Sequence, residues 1–273
     1  MTIQLAASSM LAQGQTPAEQ LEFLRRCGFS GMELRLTVAD AELPAYMDRL
    51  QEALEVTGLR VCSVITPDAA FWRPFDGRQA MESKLASLLR NLRIAGPLGA
   101  VSLFCPEYCA QQSLSLWNPP PPMNYSERML LLELLDRAAD VAEKVGGVIV
   151  IEPLNRYETH LIQRLEAAVE LCQALDSPRV GVLADFFHMN IEEADIGKSI
   201  ASAASWIRHV QLADSNRCLP GQGHLDFRPG FRALVQGGYQ GFMALECRAH
   251  PPLEETLTRC VQFVQQELSA CRQ

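Results

Sequence analysis

Eight short apolar runs, rich in β-branched residues, recur along the 273-residue chain, and stretches with helical periodicity separate them. The runs read TIQLAA, FSGMELRL, LRVCSVI, LGAVSLF, GVIVIE, VGVLAD, IRHVQLAD and GFMALE. Such runs are typical of buried β-strands, and their alternation with helices indicates parallel strands joined by right-handed crossovers. Eight βα units are the number at which a parallel sheet closes on itself. The pattern therefore predicts an α/β fold, a single (β/α)8 TIM barrel that forms one domain over residues 1–273.

The first helical segment, TPAEQLEFLRRCG, carries its own start and stop signals. Thr16 is placed to cap the helix, Pro17 occupies its first turn, Glu19 completes a capping box and Gly28 ends it. Six further segments show helical periodicity: residues 42–58, 79–94, 126–146, 161–175, 191–205 and 253–268.

An open, doubly wound parallel sheet is the alternative fold. That fold carries a GxGxxG turn after its first strand, where this chain reads AASSMLAQG. The stretch WNPPPPMNY, residues 117–125, could separate two domains, but a division there leaves four strands on each side. A long, proline-stiffened loop after the fourth strand fits better. This loop, which includes Trp117, could close over a ligand or contact another subunit, so a homo-oligomer is left open.

Charge and composition exclude several classes of partner. The net charge is −8 and no Lys/Arg stripe is evident, so nucleic acid and anionic membranes are not expected partners. No apolar run approaches the roughly 18 residues that span a bilayer. The N-terminus MTIQLAASSM lacks signal-peptide features, so we expect a cytoplasmic location.

The nine cysteines do not indicate a disulfide framework or a zinc site. The number is odd, and Cys62 and Cys247 lie in apolar runs, which is typical of reduced core thiols. Cys105 and Cys109 are separated by three residues, and no second pair completes a zinc ligand set. We therefore assign these two cysteines no chemistry.

Strand parity brings polar side chains from four strands to one end of the barrel. Alternate residues of a barrel strand face the interior, and active sites lie at the carboxyl ends of the strands. On strands five to eight, this alternation points the following side chains inward near the carboxyl end: Glu152, Asp185, His209 with Gln211, and Glu246. Three carboxylates this close repel one another unless a cation lies between them. Glu152, Asp185, Gln211 and Glu246 are therefore predicted to hold a divalent metal ion.

The predicted ligand atoms favour certain metal ions, and residues that follow Asp185 could also reach the site. Three carboxylates and an amide oxygen favour Mn²⁺, with Mg²⁺ or Co²⁺ as alternatives. After Asp185 the chain turns over the mouth, so His188 could lean back toward the metal site. Asn190 with Glu193 is predicted to cap the helix that begins at Ile191, which leaves Asp185 without a capping role.

Three segments resemble the D-tagatose 3-epimerase and D-psicose 3-epimerase group of the xylose-isomerase-like TIM barrels (sugar phosphate isomerase/epimerase family). They are IEPLNRYETH, ADFFHMNIEE and HVQLADSNRCLPGQGHLDF, within residues 146–248. The resemblance implies the same four metal ligands, and it implies that Glu158, His188 and Arg217 contact the sugar. If a ketose binds the metal, Glu152 and Glu246 could flank the reacting carbon on opposite faces and act as the catalytic acid–base pair.

Two positions depart from that group. Gln211 stands where those epimerases carry the second histidine of a His-x-His strand; it is similar to the ligand in the HVQ strand of hydroxypyruvate isomerase. Phe186 replaces the usual threonine and is expected to make the wall beside Asp185 bulkier.

The implied reaction is metal-dependent proton transfer beside a ketone, through an enediolate. Returning the proton to the same carbon gives ketose epimerisation, and returning it to the neighbouring carbon gives aldose–ketose isomerisation. A polyol or inosose-type dehydratase is the closest alternative, and a sugar-binding barrel without turnover is the non-enzyme alternative. A DNA-repair nuclease with this barrel would need more than the five histidines present and a basic face.

Overall fold

The computed structural model describes residues 3–39, 42–66, 77–105 and 121–271. Within these segments, parallel strands form a closed barrel in which each strand pairs with its sequence neighbours and β8 pairs with β1. The strands are β1 Gln4–Ser8, β2 Gly31–Arg35, β3 Arg60–Ile65, β4 Val101–Phe104, β5 Val148–Ile151, β6 Val180–Asp185, β7 Ile207–Leu212 and β8 Phe242–Leu245. The predicted TIM barrel is confirmed and the open sheet is excluded.

Helices connect the strands. In the described segments they are α1 Pro17–Arg26, α2 Leu43–Thr57, α3 Gly77–Leu98, α4 Tyr125–Val145, α5 Leu165–Leu175, α6 Phe186–Glu192, α7 Ile196–Ala203, α8 Arg228–Gln236 and α9 Leu253–Ala270. The start of α1 is as predicted, because the side chain of Thr16 accepts the N–H of Glu19 and the Glu19 carboxylate accepts the N–H of Thr16. None of the helices in the described part of the chain is both long and apolar enough to cross a membrane.

The predicted helix 191–205 is wrong, because two helices occupy that region. Helix α6 begins directly after β6, and Asp185 caps it by accepting the N–H of Phe187 on Oδ1 at 2.7 Å. Asn190 lies inside α6, and Asp195 caps α7. Glu193 accepts the N–H of Leu165 at 2.9 Å, so it supports the start of α5 and does not pair with Asn190.

Helix α8 was not among the predicted helices. It begins with Arg-Pro-Gly, residues that weaken a helical pattern. The glycine has a packing role, because a Cβ at Gly230 would lie 2.6 Å from a ring carbon of Phe186. The Phe186 ring packs between α6 and α8 against Phe227 and Phe231, with ring centroids 5.6 Å apart in both pairs.

The core has an outer and an inner part, as strand parity predicts. Ile149 and Val182 belong to the large cluster between the strands and the helices. Val150 and Leu183 pack inside the barrel with other strand residues. The side chains that follow in the inner rows therefore reach the interior at the carboxyl end of the barrel.

The described cysteines are free thiols, and Cys62 and Cys247 are buried as predicted. Cys109, Trp117 and the residues up to Pro120 lie outside the described residues, so the predicted lid loop is not described.

Candidate active site

The structure brings the four predicted metal-ligand residues to the carboxyl ends of β5 to β8. Glu152 directly follows β5, where its N–H donates to the carbonyl of Phe104 at 3.0 Å. Asp185 is the last residue of β6 and pairs in register with Gln211 on β7. Glu246 follows β8, and its N–H donates to the carbonyl of Leu212 at 3.2 Å. Backbone pairing thus fixes the position of each of these side chains along the barrel axis.

Glu152 and Asp185 lie close together with His188. The Nε2 atom of His188 is 3.6 Å from Oε1 of Glu152 and 3.6 Å from Oδ2 of Asp185. One potential ligand atom from each of these three residues lies within 4.8 Å of the others, and all three residues are buried. The three side chains form a compact cluster of a kind that could hold a metal ion.

The hydrogen bonds of His188 argue against its being a metal ligand. Its Nδ1 atom accepts the backbone N–H of Asn155 at 3.1 Å and lies 2.8 Å from the Asn155 side-chain nitrogen. These contacts place the ring proton on Nε2, the atom that faces the carboxylates. An Arg217 nitrogen lies 3.5 Å from Nε2, a longer contact that does not outweigh the two at Nδ1. Burial lowers the pKa of His188, although the negative charge of Asp185 opposes this shift. The ring is therefore a neutral N–H donor.

Asn155 connects His188 to Glu158, the first of the predicted sugar-contacting residues. Its Nδ2 donates to Oε1 of Glu158 at 2.9 Å, while its own Oδ1 accepts the N–H of Tyr157 at 2.9 Å. Asn155 is 2% exposed. This arrangement fixes the His188 ring and places the Glu158 carboxylate beside the cluster.

Arg217 places a positive charge between two of the carboxylates. Its Nη1 lies 3.1 Å from Oδ2 of Asp185, and its Nη2 donates to Oε2 of Glu246. The guanidinium also lies 4.5 Å from the ring centroid of Phe187. Phe187 therefore contacts the polar cluster, whereas Phe186 packs under α8; the prediction that Phe186 forms the wall beside Asp185 is wrong.

The loop after β7 holds Arg217 in an uncommon backbone conformation. Its φ is 60°, which a residue other than glycine adopts rarely. The N–H of Arg217 donates to the carbonyl of Asp214 at 2.9 Å, and its own carbonyl accepts the N–H of Arg248 at 2.7 Å. The Asp214 carboxylate in turn accepts the N–H groups of Gly221 and Leu225 at 2.9 and 3.1 Å. Backbone strain of this kind clusters at functional sites, where the surrounding structure maintains it.

Gln211 is oriented by a residue that sequence reasoning missed. Its Nε2 atom lies 3.0 Å from both carboxylate oxygens of Glu33, a residue on β2 that is 1% exposed. His209 and Ser63 also contact Glu33, at 3.1 and 2.8 Å. The Oε1 atom of Gln211 is buried and has no hydrogen-bond partner within the described segments.

Two of the carboxyl groups that meet here, those of Glu152 and Glu246, hold their protons more tightly than usual. Burial, followed by the charges of Glu246 and Asp185, raises the pKa of Glu152 well above its ordinary value. Burial raises the pKa of Glu246 to about 8, although the nearby charge of Arg217 opposes the shift. Burial alone would lower the pKa of Arg217, but Asp185 and Glu246 raise it, so this side chain stays charged.

Cys105 also reaches the site, although no chemistry was predicted for it. Its Sγ atom donates to Oε2 of Glu152 at 3.1 Å. Burial and the charge of Glu152 raise the pKa of Cys105 well above its ordinary value, so it acts as a thiol donor and not as a thiolate.

A signal for the missed residues was partly present in the sequence. Glu33 has inward parity in GMELR, and an acid in the middle of a buried strand is uncommon. The same parity rule that identified Gln211 would have identified it. Asn155 and Cys105 lie where strands pass into loops, and only the fold shows what they contact.

The donor atoms of this cluster suit a divalent cation. Glu152, Asp185 and Glu246 carry carboxylates whose mutual repulsion a cation would offset, and the unpartnered oxygen of Gln211 would gain a partner. An all-oxygen set of this kind favours hard or borderline ions.

Comparison with known proteins gives the family. A family model for the xylose isomerase-like TIM barrel matches residues 21–266. The chain belongs to this family.

Two relatives show which enzymes the chain resembles in sequence. The chain is 28% identical over 237 residues to the 3-dehydro-D-guloside 4-epimerase of Escherichia coli K12, covering 84% of this chain and 86% of the relative. It is 36% identical over 115 residues to the D-psicose 3-epimerase of Ruminiclostridium cellulolyticum, covering 42% of this chain and 39% of the relative. These names confirm the predicted resemblance and support an enzyme of the isomerase class.

The solved structures confirm the fold. The crystal structure of 3-keto-D-glucoside 4-epimerase from E. coli superposes with a TM-score of 0.85 at 23% identity, covering 97% of this chain and 100% of that one. The structure of an L-ribulose 3-epimerase gives a TM-score of 0.84 at 20% identity, with 99% and 96% covered.

Proposed function

We propose that this protein is a divalent-metal-dependent epimerase that inverts a carbon next to a ketone in a sugar, by proton transfer through an enediolate. The observation that carries the proposal is the buried carboxylate cluster at the barrel mouth, together with the buried, unpartnered amide oxygen of Gln211. Mn²⁺ is the ion we expect, with Mg²⁺ or Co²⁺ as alternatives.

Four side chains would hold the ion: Glu152, Asp185, Gln211 and Glu246. When bound, a divalent ion supplies positive charge that stabilises the developing negative charge of the substrate oxygens. Asp185 would offer Oδ2, which contacts Arg217, since its Oδ1 accepts the N–H of Phe187. The neutral Nε2–H of His188 is better suited to donate a hydrogen bond to a sugar oxygen than to bind metal.

Proton transfer requires two groups that reach the same carbon from different sides. Glu152 and Glu246 follow strands β5 and β8, which are three positions apart around the barrel. Burial makes each carboxylate a stronger base than it would be in water. One carboxylate removes the proton and the other returns it on the opposite face, which inverts the carbon.

The remaining polar residues orient the sugar. Arg217 offers a fixed positive charge, and His188 offers an N–H donor. Glu158 is held by Asn155 and provides an acceptor for a sugar hydroxyl. Fixed donors and charges of this kind contribute to catalysis because they need little rearrangement during the reaction.

The names of the relatives narrow the substrate class. One acts as a 4-epimerase on a 3-dehydro sugar, and another as a 3-epimerase on the ketose D-psicose. In both cases the inverted carbon is next to the ketone. We therefore propose a ketone-bearing sugar as substrate, either a ketose or a 3-keto glycoside.

Solvent exchange tests the proposal. Protein loaded with Mn²⁺ is incubated in D₂O with D-psicose, D-tagatose, L-ribulose and a 3-keto-D-glucoside, and deuterium next to the ketone is followed by NMR. We expect deuterium entry with inversion for at least one sugar, and loss of both after chelation of the metal. Loss of water from the substrate would indicate a dehydratase. Binding without exchange would indicate a sugar-binding barrel, and either result would overturn the proposal.

A further inference from the structure

Glu33 is a buried carboxylate that the proposed mechanism does not use. It lies on β2 and faces the barrel interior. Among the described residues, no Lys or Arg forms an ion pair with it. Its carboxylate receives only hydrogen-bond donors: Gln211 at 3.0 Å to each oxygen, Ser63 at 2.8 Å and His209 at 3.1 Å. Burying a carboxyl group at 1% exposure is costly, so a function for it should be sought.

The contact with Glu33 determines which way the Gln211 amide faces. The amide nitrogen is a donor, and it lies between two acceptor oxygens. Turning the amide by half a rotation would place its oxygen against the carboxylate, where two acceptors repel each other. The oxygen is therefore directed away from Glu33, and it is the buried atom without a hydrogen-bond partner in the described segments.

A buried acceptor without a hydrogen-bond partner is costly, so this orientation of the amide needs a compensating partner. The position of Gln211 in the barrel supplies one. Its strand neighbour in register is Asp185, whose Oδ2 faces the carboxylate cluster. A cation shared with Asp185 would satisfy the amide oxygen.

We propose that Glu33 is a positioning residue that fixes Gln211 with its amide oxygen toward the metal, so that Glu33 and Gln211 act as a unit. The inference rests on the proposed function, because it assumes a metal ion in the site. Accepting a hydrogen bond from the amide nitrogen also increases the negative charge on the amide oxygen, which strengthens it as a ligand.

The competing explanation is that Glu33 attracts the cation only through its negative charge. The two explanations differ in what happens when the charge is kept and the position is lost. Glu33→Asp keeps the carboxylate but withdraws it by one methylene from Gln211. Glu33→Gln keeps the length but offers the amide of Gln211 either an oxygen or a nitrogen, so the orientation is no longer fixed.

The test is a set of Mn²⁺ affinities measured by titration calorimetry on metal-free wild type, Glu33→Asp, Glu33→Gln, Gln211→Ala and the double variant Glu33→Gln with Gln211→Ala. Glu192→Gln is the matched control, because the side chain of Glu192 is likewise buried, 3% exposed, but its hydrogen bonds are to Arg156 and not to any of the four expected ligands. Circular dichroism confirms that each variant is folded.

We expect both Glu33 variants to weaken Mn²⁺ binding by about 10- to 100-fold, as is usual when a group that orients a ligand is lost. In the Gln211→Ala background, Glu33→Gln should have little further effect, and Glu192→Gln should bind like wild type. Wild-type affinity in Glu33→Asp, or an equal loss from Glu33→Gln in both backgrounds, would overturn the inference. Failure of the wild type to bind any divalent ion would overturn the proposed function instead.

If Glu33→Gln does not fold, the comparison of Glu33→Asp with wild type decides the question alone. Retained charge with reduced affinity supports positioning, and retained charge with unchanged affinity contradicts it.

Discussion

Asp185 and Arg217 are joined by a contact of 3.1 Å between Oδ2 and Nη1, while Oδ1 of the same aspartate accepts the N–H of Phe187 at 2.7 Å. One side chain therefore begins α6 with one oxygen and faces the carboxylate cluster with the other. The capping bond fixes the carboxylate, and the second oxygen points to the site, where Arg217 contacts it. Structure and proposed chemistry are coupled at this residue, and substitutions can separate them.

Asp185→Asn and Asp185→Ala should differ in stability but agree in metal binding. Asparagine caps a helix about as well as aspartate, whereas alanine loses about 1 kcal/mol of capping free energy. Both remove the charge that faces the cluster, so both should greatly weaken Mn²⁺ binding. Chemical denaturation of the metal-free proteins and Mn²⁺ titration measure the two effects. Equal stability of the two variants would contradict the capping role.

Mn²⁺ affinity should rise with pH up to about the pKa of Glu246. Burial raises that pKa to about 8 from an ordinary value of 4.5, and the pKa of Glu152 is raised as well. These groups must lose their protons to bind a cation, so binding should release protons at pH 6 to 7. Calorimetry in buffers of different ionisation enthalpy counts the protons. Affinity that is independent of pH, with no proton release, would count against these ligands.

The same shifts predict how the metal-free protein responds to pH. A carboxyl whose pKa is raised by folding stabilises the folded state below its unfolded pKa, and this contribution is lost as pH rises through the folded pKa. The contribution of Glu246 to the free energy of unfolding should therefore fall between pH 4.5 and about 8. Glu246→Gln should remove that part of the slope in denaturation curves measured at several pH values.

Glu152→Gln and Glu246→Gln should each stop epimerisation but leave exchange in one epimer. Each variant retains one carboxylate, which can still remove the proton that faces it and exchange it with solvent. Loss of the partner should reduce inversion by about 10²- to 10⁴-fold, the usual effect of a general acid or base. NMR of each pure epimer in D₂O shows from which face of the reacting carbon the remaining carboxylate removes the proton.

Metal content is the control for these two variants, because both residues are also expected ligands. Loss of exchange from both epimers in a variant that still binds Mn²⁺ would contradict a two-base mechanism.

Cys105→Ala should reduce turnover more than Cys105→Ser. The thiol donates to Oε2 of Glu152 at 3.1 Å, and serine keeps a donor there whereas alanine does not. A hydrogen bond of this kind contributes about 0.5–1.5 kcal/mol, so we expect a change in kcat of about 2- to 10-fold. Steady-state kinetics of the two variants measures it, and identical kcat values would exclude a role for the bond.

Strand parity predicted much of the fold and the polar side chains at the carboxyl ends of β5 to β8. It places Glu152, Asp185, Gln211 and Glu246 at one mouth because alternation in a strand has a fixed period and parallel strands end on one side. The same rule applied to β2 would have found Glu33. Those parts of the site follow from local, periodic geometry.

The errors arose where contacts between distant segments decide the outcome. Glu193 does not pair with the nearby Asn190, because the start of α5 offers it an unsatisfied N–H at Leu165. Phe186 turns away from the cluster, because Gly230 leaves room for its ring under α8. Neither neighbour can be identified from the sequence around the residue, since both contacts need the folded barrel.

The most direct test of the proposed metal site is the anomalous difference density of Mn²⁺ in crystals of the protein grown with that ion. We predict one strong peak within bonding distance of carboxylate oxygens of Glu152, Asp185 and Glu246 and of the amide oxygen of Gln211. A peak elsewhere, a Gln211 amide that turns its nitrogen to the site, or no peak at a saturating Mn²⁺ concentration would contradict it.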